Sequence, residues 1–154
     1  LENPPVVRKL EVRYRDLDTL GHVNNAVFLE YFETVRFEYW WRIAEIIGVT
    51  EFVSGDLPGA QYVVAETTVR FKAPVFFGDI LFGAATVPTI GNRSYSMDFE
   101  LRTGESYENG TLVAEGSAAH VFYDPEKNEV MPRPEWLLSA AAKLEGRTED
   151  SFSK

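Results

Sequence analysis

From residue 25 to residue 47 apolar side chains return every three or four places, as Phe28, Tyr31, Phe32, Val35, Tyr39, Ile43 and Ile46. That is the period of a helix with one apolar face, so the spacing predicts a single long helix over Asn25–Ile47. Asn24 and Asn25 can each cap its start, and Gly48 is a natural stop. Before the helix, Leu10, Val12 and Tyr14 alternate with charged neighbours, which predicts a first strand over Lys9–Tyr14. Beyond a loop marked by Gly55, Pro58 and Gly59, alternation returns and predicts four more strands, at Tyr62–Lys72, Ile80–Ile90, Ser94–Thr103 and Thr111–Tyr123. Breaks fall at Pro74–Asp79, Gly91–Arg93 and Gly104–Gly110, and connections this short imply antiparallel neighbours in a meander. A second helix is expected over Pro134–Leu144, since proline suits a first turn and Trp136, Leu137 and Leu144 can dock on the body. From Glu145 to Lys154 the apolar pattern fades, and a mobile tail is expected.

These elements make an α+β domain over residues 1–144, in which a five-stranded antiparallel sheet wraps the helix to bury its aromatic stripe. One copy leaves long strand edges open. Such edges are usually managed by pairing, so the pattern predicts edge-to-edge dimerisation, most simply with two-fold symmetry.

The chain has 154 residues, 45% of them apolar, which suits one domain with a continuous core. It contains no cysteine, which excludes a disulfide framework, a thiolate zinc site and a catalytic thiol, and fits a cytoplasmic home. No run approaches the roughly 18 apolar residues of a membrane span, and no membrane association is expected. Leu1 to Val7 lack the order of a signal peptide; without a leading methionine they are read as a remnant or trimmed end and carry no weight. A net charge of −9 argues against nucleic-acid binding but leaves room for a small polyanion held by a few local cations.

The densest run of unusual residues, Arg13 to Asn25, joins the first strand to the helix start. The first N–H groups of a helix have no internal partners and lie at the positive end of its dipole. They can hold a developing oxyanion while a carboxylate just upstream attacks a carbonyl or activates water to do so. Asp, Gly and Asn are also ordinary turn and cap material. The residue types alone leave both readings standing.

The run Asp16-Leu17-Asp18-Thr19-Leu20-Gly21-His22-Val23-Asn24-Asn25, followed by Phe28, Tyr31, Phe32, Glu33 and Arg36, resembles the signature of the 4-hydroxybenzoyl-CoA thioesterase family. The motif is similar to those of long-chain acyl-CoA and plant acyl-ACP thioesterases. The resemblance implies a hotdog fold over nearly the whole chain, and hydrolysis of an acyl-CoA or acyl carrier protein thioester. It makes Asp18 the catalytic carboxylate, nucleophile or general base, and puts Asp16 at a less constrained position. The carbonyl-polarising N–H falls on the backbone of Asn25. His22 could orient Asp18 or a water, or serve structure alone, and Asn24 is read as a cap before a site residue.

The resemblance also makes Arg70, Lys72, Arg93 and Ser94 candidates for the nucleotide and phosphates of coenzyme A, beside the plain reading of solvated strand-end charges. Asp79 is read as a turn residue. His120, in an apolar strand, is read as a hydrogen-bonded core or interface histidine. Two histidines without metal-ligand spacing give a metal site no support, and thioester hydrolysis is expected to need no cofactor. A homodimer, with a homotetramer as the further step, is the expected assembly. The competing readings are an acyl-ACP thioesterase and a non-catalytic acyl-binding hotdog protein.

Overall fold

The computed structural model describes residues 1–52 and 57–153; Gly55 of the expected loop and Lys154 lie outside them. The elements are β1 (Val6–Leu10), a 3₁₀ turn at Tyr14–Asp16, α1 (Val27–Ile47), β2 (Tyr62–Phe71), β3 (Leu81–Thr86), β4 (Ser94–Thr103), β5 (Thr111–Asp124), β6 (Glu129–Val130), α2 (Leu137–Glu145) and a closing 3₁₀ turn at Glu149–Phe152. The main sheet runs β1-β3-β4-β5-β2, antiparallel throughout, and the short β6 pairs with β5. Its inner face holds α1, whose Phe28, Tyr31, Phe32, Val35, Tyr39 and Ile43 are all buried, as the periodicity predicts. Gly48, at φ +79°, closes the helix in the left-handed conformation that a side chain would resist. This is the hotdog fold expected from the motif.

Helix and sheet meet closely because two strand positions lack a side chain. A Cβ at Gly83 would lie 2.4 Å from Val35 Cγ2, and one at Gly116 would lie 2.5 Å from Phe32 Cε2 and 2.6 Å from the Thr68 carbonyl. Phe32 stacks on Phe99 in the space this opens, with ring centroids 4.7 Å apart.

The structure departs from the expected elements in several places. The first strand lies earlier, at Val6–Leu10, and Tyr14 is 80% exposed. Residues 14–16 turn instead of extending because Asp16 reaches back to the Arg13 N–H and guanidinium. The four later strands are not a simple meander. Only β3, β4 and β5 follow one another, whereas β2 pairs with β5 at the far edge, so residues 72–80 cross the sheet end. That stretch is held by the loop before α1, with Val23 N–H donating to Val75 O at 2.8 Å, rather than by a hairpin ladder. The third strand ends at Thr86, because Thr89 and Ile90 bond instead to Ser96 and Phe152.

The segment read as a tail is docked on the body through Glu145, Arg147 and Phe152. Phe152 is fully buried, with the Arg147 guanidinium 3.8 Å above its ring. Glu145 accepts hydrogen bonds from the Tyr39 hydroxyl (2.6 Å), Thr86 Oγ1 (2.5 Å) and the Val87 N–H (2.7 Å). One apolar residue in a polar stretch is too weak a periodic signal to mark such docking. No helix among the described residues is long and apolar enough to cross a membrane.

Candidate active site

Between β1 and α1 the chain folds into a small hairpin with Asp18 near its tip. Leu17 bridges Val23, the Asp18 N–H donates to His22 O at 2.7 Å, and the Gly21 N–H returns to Asp18 O at 3.2 Å. Gly21, at φ +85°, makes the reversal without strain. Within the hairpin Asp18 Oδ1 accepts the N–H groups of Leu20 (2.9 Å) and His22 (3.3 Å), a local turn bond of the kind short carboxylates form. The other oxygen, Oδ2, lies 3.8 Å from His22 Nδ1, and the two side chains are 33% and 38% exposed. The turn reading and the catalytic reading are therefore compatible, since one oxygen serves the turn and the other accepts no hydrogen bond among the described residues.

The base of the hairpin is fixed by Asp16, which is 1% exposed. Its carboxylate accepts the Arg13 N–H (2.9 Å), pairs with Arg13 Nη2 (2.8 Å) and accepts the Tyr31 hydroxyl of α1 (2.9 Å). Its backbone carbonyl accepts the Asn24 N–H at 2.8 Å. Burial pushes this carboxyl up, but the bonds from Arg13 and Tyr31 outweigh it and hold Asp16 below the ordinary carboxylate range. The same contact, after burial itself, pushes the Tyr31 phenol up.

Just before α1 Asn24 Oδ1 accepts the Ala26 N–H at 3.0 Å, a local turn bond; the N-cap position itself falls on Ala26, which has no side-chain cap, so the expected cap is replaced by this turn. The Val27, Phe28 and Leu29 N–H groups bond to the carbonyls of Asn24, Asn25 and Ala26. The N–H of Asn25, which is exposed, has no partner among the described residues. On the far side of the hairpin His22 bridges Phe76 and meets its ring edge-on, with centroids 5.6 Å apart.

The candidate coenzyme A contacts do not gather here. Arg70 and Lys72 lie at the end of β2 nearest the hairpin, where Phe71 packs on Phe28 of the helix start. Both pair with Glu115 Oε1 at 3.6 Å, and as exposed pairs these leave the cations exchangeable. Arg93 and Ser94 sit at the opposite end of the sheet, since Ser94 pairs with Val121, which pairs with Val63 at the start of β2. Ten residues of strand, about 30 Å at about 3.3 Å per residue, separate that end from the hairpin.

Asp79 is a turn residue, accepting the Phe76 N–H at 2.8 Å. His120 is fully buried and stacked on Tyr95 at 4.1 Å; Nδ1 lies 3.4 Å from Tyr95 O and Nε2 has no partner among the described residues. Among the described residues no three His, Cys, Asp or Glu side chains cluster as metal ligands. The reading from sequence missed the Asp16-Arg13-Tyr31 group and Phe76. The Arg13/Asp16 spacing was a usable sign of the former, whereas Phe76 is brought in by a crossing that no local pattern reveals.

A long helix laid along a five-stranded antiparallel sheet is the hotdog fold, and within it the chain is a thioester hydrolase. The chain belongs to the thioesterase-like superfamily, whose family model matches residues 12–141. It is similar to a thioesterase from Thermus thermophilus solved with coenzyme A and Zn, at 33% identity and a TM-score of 0.79 over 96% of this chain and 98% of that one. It is also similar in fold to a predicted thioesterase from Bacillus stearothermophilus (20% identity, TM-score 0.71, covering 93% and 96%). A 1,4-dihydroxy-2-naphthoyl-CoA thioesterase from Synechocystis shares the fold as well (20% identity, TM-score 0.68, covering 90% and 96%). No curated protein sequence matches the chain.

Proposed function

We propose that the protein hydrolyses acyl-CoA thioesters to the free acid and coenzyme A, with Asp18 as the reacting carboxylate. The observation that carries this reading is the Asn25 N–H, without a partner among the described residues, at the positive end of α1 beside the hairpin that holds Asp18. A thioester carbonyl oxygen accepting that N–H gains charge stabilisation as it becomes an oxyanion. Asp18 either takes a proton from the water that attacks the carbonyl carbon, or attacks that carbon itself to form an anhydride that water then hydrolyses; in both routes the thiolate of coenzyme A leaves and the free acid is released. The His22 backbone N–H helps hold the Asp18 carboxylate through Oδ1, and its imidazole stands 3.8 Å from Oδ2. These steps use side chains, backbone and water, without a cofactor. The coenzyme A bound to the relative from Thermus thermophilus supports the choice of thiol carrier.

The proposed assembly is a two-fold dimer through the edge of β2. Among the described residues that ten-residue strand pairs on one side only, and it exposes Val63, Val64 and Phe71. Antiparallel pairing of two β2 edges puts the Arg93–Ser94 end of one protomer beside the partner's hairpin. Arg70 and Lys72 then serve their own site and Arg93 and Ser94 the neighbouring one. Replacing Asp18 by Asn tests the chemistry. Thiol release from short, long and aromatic acyl-CoAs should fall by at least about a hundredfold while substrate still binds. Near-normal turnover in that variant would remove Asp18 from the mechanism.

A further inference from the structure

We propose that Asp16 is a positioning residue for this site, its buried carboxylate setting where Asp18 stands relative to the start of α1. The inference rests on Asp18 being the reacting group. Asp16 joins both ends of the hairpin: its side chain ties the incoming strand to the helix through Arg13 and Tyr31, and its carbonyl ties the outgoing strand through Asn24. Between these ties lie only the Leu17–Val23 bridge and the tip that carries Asp18. The opposite wall is held by the Val23 backbone bond to Val75, and by the His22 bridge and ring contact to Phe76.

An apolar residue in the place of Asp16 could fill the same space, but dispersion contacts are non-directional. A carboxylate with a guanidinium, an N–H and a phenol around it admits one arrangement of its donors, because charge-assisted bonds are short and directional. The Tyr31 hydroxyl matters most for function. Tyr31 is on α1, so its bond references the hairpin to the element that presents the Asn25 N–H. Carboxylate and oxyanion donor are thereby fixed to one body, and displacement of a reacting group by about 1 Å can cost on the order of a hundredfold in rate.

The test compares Asp16→Asn and the milder Tyr31→Phe, which deletes one hydroxyl, with the unmodified protein. With an acyl-CoA that the protein turns over, kcat should fall roughly tenfold to a hundredfold while KM stays within about threefold. Asp16→Asn added to Asp18→Asn should cost nothing further, since a group acting through Asp18 has nothing left to position. Hydrogen exchange gives a readout free of activity: the Leu20 and His22 amides, which donate to Asp18, should lose protection while amides inside α1 keep theirs. Unchanged protection at Leu20 and His22, loss shared equally by α1, or a second full loss on top of Asp18→Asn would each overturn the proposal. An active Asp18→Asn protein sinks the functional reading instead, and the exchange result still decides whether Asp16 holds the hairpin.

Discussion

His120 shows how one residue's surroundings decide its chemistry. It lies in the buried face of β5 against the rings of Tyr62 and Tyr95. Burial, and then the nearby Arg36 cation, push its pKa down from 6.5 to about 3, so it is neutral in the folded protein at neutral pH. A folded pKa below the unfolded one means that acid favours the unfolded chain. The loss begins as pH falls through 6.5 and is complete near 3. Replacing His120 with Phe, which keeps a ring against Tyr95, should flatten the stability–pH curve in that window; a curve of unchanged slope would show another group responsible. Asp16 acts in a lower window: its folded pKa is depressed below 3.8, so its stabilisation is full above that value and is lost only as pH falls further. The Asp18 run stood out in the sequence by its residue types, and only its likeness to a family motif chose between a turn and a site. The burial of Asp16 was not readable there, because its partner Tyr31 comes from the next element.

Elements read well from sequence wherever one face meets one partner. The helix α1, the strand β4 and most of β2 and β5 fell where their periods put them, since 3.6- and two-residue repeats follow directly from backbone geometry. The close approach of these elements is a pairwise property and rests on single positions. Gly116→Ala would drive a methyl against the Thr68 carbonyl, which cannot yield as a side-chain tip can. It should cost roughly 1–3 kcal/mol in denaturant unfolding. Phe152→Ala, in the closing turn, should cost about 3–5 kcal/mol, because the ring is fully buried and Arg147 caps it. A loss near zero would mean that the turn is undocked in solution.

At the scale of the whole molecule, the arrangement of the strands separates the candidate site residues into two groups at opposite ends of the sheet. If the dimer joins β2 edges, an Asp18→Asn chain and an Arg93→Gln chain should rescue each other. Mixed dimers would hold one site with both native groups, so low-substrate turnover should rise above the mean of the two parents. No rise on mixing, with dimers present by sedimentation, would place Arg93 in its own protomer's site or in none. The sequence by itself determined the helix and its buried face and the alternating strands, because each is written in residue types and spacings within one short stretch, while the hotdog class and the interest of the Asp18 loop came from the likeness of one run to a known family motif. Tertiary structure alone decided that β2 leaves β3 to pair with β5, that Asp16 is a buried anchor, that Phe152 is docked, and that Arg93 lies far from Asp18. Those facts depend on contacts between residues distant in the chain, whose energies arise only when the sheet has closed around the helix.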